Sequence, residues 1–269
     1  MKRRKSRQLL IASVLAPAVI ALCVCGCADN STGTGEGAAD AAPEKHFIAC
    51  DESMDSAGDG HGASALGGAL DDPDSGYYVI NDYYNMKSGG GLHILSGFET
   101  FQQTTEYTCG PAAALMVLNH YGNHDYNELG ICRLTGTDDE KGTSVEGLAG
   151  FFEGIGWKVE SNAQTEPRFG DISDAEEFII RKIDEGTPVM VDWEDWRGHW
   201  QVIAGIDTCG NNSPYDDVVI MADPYDVTDH YQDGYYTVPF GRFFDMWREG
   251  PCAQKADPYE QPYVIAVPE

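Results

Sequence analysis

The order of the predicted elements along the chain is the feature that most limits its fold. Residues 109–121, 143–157 and 173–186 are predicted helices, because they carry apolar helical positions and start or end at capping residues. Beyond residue 187, β-branched and aromatic segments separated by turn residues predict strands. These strands are 188–193, 199–207, 217–224, 235–239 and 263–268, with one short helix at 240–247. Helices followed by strands predict an α+β domain with an antiparallel sheet.

The first 26 residues have the composition of an export signal. A basic cluster at 2–7 precedes an apolar run that ends in VCGC. Small Gly26 directly before Cys27 resembles a bacterial lipobox, which predicts 1–26 as a lipoprotein signal peptide and Cys27 as the lipidated first residue. An ordinary cleaved signal and an uncleaved anchor are the alternatives. Lipidation would hold an exported domain at the cell membrane, outside the cytoplasm.

The organisation of the remaining chain follows from its composition. Residues 27–75 are rich in Gly, Asp, Ser and Ala, and such a segment buries too little apolar surface to fold by itself. We therefore expect a flexible tether over 27–75. One compact domain is expected over 76–269, which contains nearly all the aromatic residues.

Charge and cysteine spacing exclude some classes of partner. The chain has 17 basic and 44 acidic residues and a net charge of −27 at pH 7. A charge of this sign disfavours nucleic acid as a partner. No CxxC pair is present, so a structural zinc site is a weak alternative. No sequence feature requires a metal or an organic cofactor.

Five cysteines follow Cys27 in what we expect to be an exported, disulfide-permissive setting. An odd number leaves at least one thiol unpaired within the chain. If Cys109 is that thiol, the other four allow three pairings, between which the sequence does not choose. These four are Cys50, Cys132, Cys209 and Cys252.

Cys109 stands where the polar loop QTTEYT gives way to the predicted 109–121 helix. A cysteine attacks as its thiolate, and a free thiol with a pKa near ~8.5 is mostly protonated at neutral pH. A helix N-terminus and a nearby imidazole both favour the thiolate. Gly110, the next residue, leaves room for a substrate. Cys109 is therefore a candidate nucleophile, with burial as a small apolar residue as the alternative.

His199 is the best candidate for a general base, because it opens a predicted strand directly after a polar turn. Asp207 ends the same strand, roughly 26 Å away at ~3.3 Å per residue, and cannot orient the ring. If this strand and the next form a hairpin in which Asp207 pairs with Tyr215, Asp223 lies opposite His199. Cross-strand neighbours are close enough for a carboxylate to bind and orient an imidazole.

Other residues are candidates for stabilising or binding the substrate. A tetrahedral oxyanion needs hydrogen-bond donors. The side-chain amide of Gln103 and the backbone N–H of Cys109 are candidates, with Gln102 as the rival amide. Trp196 and Trp200, beside the candidate base, are predicted to line the substrate cleft, with packing in the core as the alternative.

Three stretches together resemble a known family. QTTEYTCGPAAALMVL, GHWQVIAGID and MADP are similar to the papain-like cysteine peptidases of the bacteriocin-leader (double-glycine) family and its single-domain relatives. The resemblance implies a papain-like α+β fold with the nucleophile at a helix N-terminus packed on an antiparallel sheet. It also implies four catalytic roles. These are nucleophile for Cys109, general base for His199, orienting residue for Asp223 and oxyanion-hole amide for Gln103.

The resemblance predicts a cysteine peptidase that hydrolyses bonds in a peptide or protein substrate. Classical members of the family are cytoplasmic domains of peptide-exporting transporters, whereas this chain begins with an export signal. Cleavage of a cytoplasmic leader after Gly-Gly is therefore not implied. Two alternatives use the same fold: a non-catalytic peptide-binding domain, and a thiol transpeptidase or amidase that acts on cell-envelope peptides.

Overall fold

The computed structural model describes residues 41–49, 60–162, 169–195, 198–248 and 260–269. In these residues a seven-stranded antiparallel sheet carries five α-helices. The helices are α1 (Cys109–His120), α2 (Glu128–Thr135), α3 (Val145–Gly154), α4 (Ile172–Asp184) and α5 (Phe240–Arg248). The strands are β1 (Leu92–Ile94), β2 (Trp157–Ser161), β3 (Val189–Trp193), β4 (His199–Asp207), β5 (Val218–Ala222), β6 (Tyr235–Pro239) and β7 (Tyr263–Pro268).

The strand order is β2-β7-β3-β4-β5-β6, and β1 pairs with the second half of β4. The predicted α+β class with an antiparallel sheet is confirmed, and each predicted helix and strand is present with small shifts at its ends. The local sequence pattern does not predict β1, β2 and α2, which are short. None of the helices in the described residues is long and apolar enough to span a bilayer.

Side-chain caps begin three of the helices. Ser144 starts α3 by accepting a hydrogen bond from the Gly147 N–H, and Asp171 starts α4 in the same way from the Ser173 N–H. Asn127 caps α2. Each cap satisfies a backbone N–H that the helix itself leaves unpaired, so these helix starts are set by local sequence.

The strand β4 lies at the centre of the fold. It is buried from His199 to Ile206, although alternate side chains point to opposite faces of a strand. Helices α1 and α4 both contact it, and β3 and β5 pair with its two edges. A residue on β4 is therefore held from all sides, which suits a residue that must keep a fixed orientation.

The expected tether does not extend to residue 75. The compact unit is Ala42–Glu269, and it includes the described residues in 42–49 and 60–75. The N–H of Ile48 donates to the Thr100 carbonyl, the N–H of Gly68 donates to the Gln232 side chain, and Ala63 is fully buried. Composition alone failed here because these backbone hydrogen bonds need few apolar side chains. The rest of the predicted tether lies outside the described residues.

The cysteines divide between described and undescribed parts of the chain. Cys109, Cys132 and Cys209 are unpaired thiols. The other predicted disulfide partners, Cys50 and Cys252, lie outside the described residues, as does the predicted lipidation site, Cys27. A thiol that is not cross-linked at Cys109 leaves this residue available for chemistry.

A close approach of β1 to β4 makes Gly205 sensitive to substitution. A Cβ at this position would lie 2.7 Å from the His93 carbonyl oxygen. We expect Gly205→Ala to lower the free energy of unfolding by about 1–3 kcal/mol, because the two backbones must separate. Gly150→Ala, in α3 with open space around it, is the matched control and should be neutral or stabilising. Urea denaturation measures both, and equal stability of the two variants would contradict the close approach.

Candidate active site

Cys109 is the first residue of α1, a helix that is buried from Cys109 to Leu118 and packs on β4. The partial positive charge of a helix N-terminus favours a negative group at this position. The thiol itself is largely buried, with 8% of the residue exposed. A sulfur placed in this way is shielded from bulk water and lies next to backbone N–H groups that have no partner within the helix.

A buried carboxylate anchors the loop that leads to Cys109. Glu128, the first residue of α2, accepts hydrogen bonds from the Thr104 N–H, the Thr104 hydroxyl and the Thr108 hydroxyl. Thr105 and Thr108 are also joined through their hydroxyls. Glu128 is not among the residues that the sequence predicts for the site. The Asn-Glu pair at 127–128 is a helix-start signal, but nothing local shows that the carboxylate turns inward.

His199 begins β4 and faces both Cys109 and Asp223. Its Nε2 lies 2.5 Å from Oδ1 of Asp223, and its ring also interacts with the Cys109 side chain, which favours the protonated ring. Because Nε2 is used by Asp223, Nδ1 is the ring nitrogen left for the thiol. Burial by itself lowers the pKa of His199, but the charge and the hydrogen bond of Asp223, with a smaller effect of the Cys109 side chain, raise it well above its ordinary value of 6.5.

The route by which Asp223 reaches His199 differs from the prediction. The predicted hairpin paired Asp207 with Tyr215, whereas Asp207 pairs with Val218, and the register shifts by one residue between Ile203 and Gly205. Asp223 therefore lies just beyond the end of β5, and it reaches the histidine with its side chain. The predicted register was wrong because the connecting turn is longer and β4 contains the irregularity.

The Asp223 carboxylate is fixed by the backbone around it. Its Oδ1 also accepts a hydrogen bond from the Tyr225 N–H. Its own N–H donates to the Gly234 carbonyl, and it is 1% exposed. A carboxylate held this tightly can orient the histidine ring and stabilise its protonated form.

Gln103 lies in the same neighbourhood, on the loop before Cys109. Its N–H donates to the carbonyl of Pro224, directly after Asp223, and its Nε2 donates to the Thr105 carbonyl. Within the described residues, its buried Oε1 has no hydrogen-bond partner. The side-chain amide is thus buried and only partly satisfied, which is unusual for a residue that serves packing alone.

Gln102, the alternative candidate for the oxyanion-hole amide, makes different contacts from Gln103. Its Nε2 donates to the Asp223 carbonyl at 3.2 Å, and its Oε1 accepts from Gln232. Gln102 therefore ties the loop to the backbone of the catalytic aspartate candidate.

Two of the predicted substrate-binding residues are packing residues. Trp200 is 2% exposed, and its indole N–H donates to the Thr143 carbonyl, so it does not line an open cleft. The space beside Gly110 is filled by the Thr143 side chain, whose atoms would lie 2.5–2.8 Å from an added Cβ. Glycine is needed there for helix packing, not for substrate. Trp196 lies outside the described residues.

A cavity of about 520 Å³ is lined in part by Asp195, a carboxylate whose charge interacts with His199. The Asp195 carboxylate accepts a hydrogen bond from the Tyr236 hydroxyl at 3.1 Å, and both residues line the cavity. Burial raises the pKa of Asp195, and the nearby His199 opposes this effect. The cavity also touches Tyr77, Tyr78 and Val79, large side chains that are exposed to solvent.

Three more carboxylates lie close to Asp223. Burial, together with the charges of Asp229, Asp223 and Asp233, raises the pKa of Asp226 well above its ordinary value. Burial is also the main cause that raises the pKa of Asp233 to about 7. In the part of the chain that the structure describes, no group of three His, Cys, Asp or Glu side chains is arranged to hold a metal ion.

Comparison with known proteins gives a family and several similar folds. The model of the Peptidase_C39 like family matches residues 95–252. The peptidase domain of Streptococcus ComA, a bi-functional ABC transporter of a quorum sensing pathway, is 18% identical, with a TM-score of 0.44 over 64% of this chain and 99% of that domain. A double glycine motif protease from an AMS/PCAT transporter, solved with its leader peptide, is 14% identical, with a TM-score of 0.41 over 63% of this chain and 91% of that one. The sequence matches no curated protein.

The family assignment rests on the family model, because these TM-scores are low. The matched range, residues 95–252, is more than half of the chain and contains Gln103, Cys109, His199 and Asp223. The expected papain-like cysteine peptidase class is confirmed by this match. The chain therefore belongs to the Peptidase_C39 like family and is a cysteine peptidase.

Proposed function

We propose that this protein is an exported, lipid-anchored cysteine peptidase that hydrolyses peptide bonds with a Cys109-His199-Asp223 triad and an oxyanion hole that includes Gln103. The observation that carries the proposal is the buried His199–Asp223 pair, whose ring also interacts with the Cys109 side chain at the start of α1. A domain that only binds peptides does not need a base beside a thiol. This arrangement of side chains therefore favours catalysis over peptide binding alone.

In the first half of the reaction, His199 holds the proton of the Cys109 thiol, and the thiolate sulfur attacks the carbonyl carbon of the scissile bond. The carbonyl electrons move to its oxygen, which the Cys109 N–H and the Gln103 amide stabilise. Collapse of this intermediate breaks the C–N bond. The departing amine takes the proton from His199, and the acyl group remains on sulfur.

In the second half, a water molecule attacks the thioester carbonyl and gives its proton to His199. Collapse of the second tetrahedral intermediate releases the carboxylic acid product and restores the thiolate beside a protonated imidazole. Asp223 keeps Nδ1 of the ring directed at the sulfur in both halves, and its charge favours the imidazolium form.

The cavity beside Asp195 is the proposed approach for the peptide. Exposed Tyr77, Tyr78 and Val79 lie at its rim, and aromatic surface of this kind suits an extended chain. The electrostatic interaction of Asp195, on the cavity wall, with His199 supports this assignment. Trp200, which the sequence predicts to line the substrate cleft, is buried and does not line this cavity.

Export and anchoring are proposed from the N-terminal sequence. The basic cluster, the apolar run and the Gly26-Cys27 pair support attachment to the outer side of the cell membrane. The compact unit begins at Ala42, so about fifteen residues would separate it from a lipid on Cys27.

Alkylation of Cys109 tests the proposed pair directly. We expect iodoacetamide to alkylate Cys109 of residues 28–269 at mildly acidic pH at least about tenfold faster than in His199→Ala, because the imidazolium stabilises the thiolate. Mass spectrometry of the peptide that contains Cys109 separates it from the other thiols. A rate and pH profile that do not change with His199 would contradict the pair.

Peptide cleavage tests the reaction class. We expect residues 28–269 to cleave members of a peptide library and the Cys109→Ala variant to lose all cleavage, since the nucleophile is gone. Addition of a free amine distinguishes a transferase, whose product would carry that amine. Peptide binding by the parent protein without cleavage or transfer would indicate a binding domain.

The buried carboxylates predict how stability depends on pH. The pKa of Asp233 is 3.8 ordinarily and about 7 in the folded protein. The folded state therefore holds a proton that the unfolded state releases, and the parent loses stability as the pH rises between these two values. We expect Asp233→Asn to gain Tm relative to the parent across this window and to gain no more above it. The control is Asp74→Asn, which changes an exposed carboxylate; an equal gain there would contradict the assignment.

A further inference from the structure

A segment that precedes the family-matched region packs against the candidate site. Residues 60–72, here called the 60–72 segment, lie before residue 95, where the family match begins. The segment contains a short 3-10 turn, Ala63–Leu66, and Ala63 is fully buried. The segment thus lies outside the matched range but belongs to the same compact unit.

The first contact is with the backbone of the Gln103 loop. The Ser64 N–H donates to the Gln103 carbonyl at 3.1 Å. Gly62, with φ −71° and ψ 169°, has an ordinary extended backbone. A Cβ at Gly62 would nevertheless lie 2.4 Å from the Gln103 carbonyl oxygen and 2.5 Å from the Thr105 nitrogen. The segment therefore touches the loop so closely that only glycine fits.

The second contact runs through the buried side chain of Gln232. Its Nε2 donates to the Ala63 carbonyl at 2.8 Å and to Oε1 of Gln102 at 2.9 Å, while its Oε1 accepts from the Gly68 N–H at 2.8 Å. Gln102 in turn donates to the Asp223 carbonyl. One side chain thus connects two points of the 60–72 segment to the loop and, through Gln102, to the triad aspartate.

A third contact reaches the same aspartate from the other side. The Tyr225 hydroxyl donates to the His61 carbonyl at 3.2 Å, and the Tyr225 N–H donates to Oδ1 of Asp223. The three contacts share one property: each joins the 60–72 segment to the Gln103 loop or to the surroundings of Asp223.

We propose that the 60–72 segment positions the Gln103 loop, which carries the proposed oxyanion-hole amide, and that Gly62 and Gln232 are the positioning residues. The inference rests on the proposed function, because it concerns the same site. The loop between Gln103 and Thr108 has no regular secondary structure. It takes its conformation from Glu128 on one side and from the 60–72 segment on the other. An oxyanion donor has to be fixed before the reaction to be effective, so the segment contributes to the rate without touching the substrate.

The test compares two reactions of Cys109 in residues 28–269. Alkylation by iodoacetamide requires the thiolate but forms no oxyanion. Acylation by p-nitrophenyl acetate passes through a tetrahedral oxyanion and releases p-nitrophenolate, which absorbs visible light. The ratio of the two rates therefore reports on the oxyanion hole separately from the thiolate-imidazole pair.

Gly62→Ala is the first variant. Its added methyl group has to displace the Gln103–Thr105 backbone, and we expect acylation to fall about 100-fold, the effect of losing one oxyanion donor, while alkylation stays within about twofold. Gly76→Ala is the matched control, since a Cβ there meets open space and the backbone is not strained. Both rates should equal those of the parent.

Gln232→Glu is the second variant and keeps the size of the side chain. Glutamate can still accept from Gly68 but cannot donate to Ala63 or Gln102, and we expect the acylation-to-alkylation ratio to fall about tenfold. Gln261→Glu is its control. This buried glutamine donates to the Phe169 carbonyl, outside the site. The control should lower Tm but leave the ratio unchanged.

The outcomes separate this proposal from the proposed function. If the parent reacts with neither reagent, the proposed function is contradicted and this inference with it. If the parent reacts with both and Gly62→Ala and Gln232→Glu keep the parental ratio, the thiol enzyme stands and the positioning role is overturned. A Gly62→Ala variant with a raised acylation rate would also overturn it, because it would identify the segment as an inhibitor of the site.

Discussion

The contact between α1 and β4 is the one on which the site depends. Cys109 is the first residue of α1 and His199 is the first residue of β4, and the packing of the two elements brings these residues together although 90 positions separate them in the numbering. Taking an imidazole and a carboxylate out of water is costly, and the cost is offset here by the hydrogen bond between His199 and Asp223. Because α1 and β4 are both buried, the geometry of the pair is coupled to the stability of the core.

The loop before Cys109 depends on that core only indirectly. It has no regular secondary structure, and buried polar contacts determine its shape. Glu128, at the start of α2, accepts hydrogen bonds from the Thr104 and Thr108 side chains, whereas the 60–72 segment contacts the backbone at Gln103. A loop that is fixed in this way loses little conformational entropy when a substrate binds, so its hydrogen-bond donors are already in position.

Burial of the acidic residues around Asp223 lowers the stability of the fold. Asp226 and Asp233 are buried, and burial raises the pKa of each. Buried carboxyls of this kind weaken a fold near neutral pH. Their side chains accept hydrogen bonds from the backbone N–H groups of Gly234 and Tyr235, next to the carbonyl that binds the Asp223 N–H. These hydrogen bonds shape the turn that holds Asp223. The buried carboxyls therefore lower stability but fix the geometry of the site.

Local sequence patterns determined the α+β class, the long helices and strands, and the residue types that form a thiol, a base and its partner. Those features depend on periodicity, caps and short motifs, which are properties of neighbouring residues. Only the tertiary structure decided the register at Val218, the burial of Trp200, the contact of Gly110 with Thr143 and the inward turn of Glu128. It also decided that part of the expected tether belongs to the domain. These outcomes depend on hydrogen bonds and packing between segments far apart in the chain, which no local pattern records.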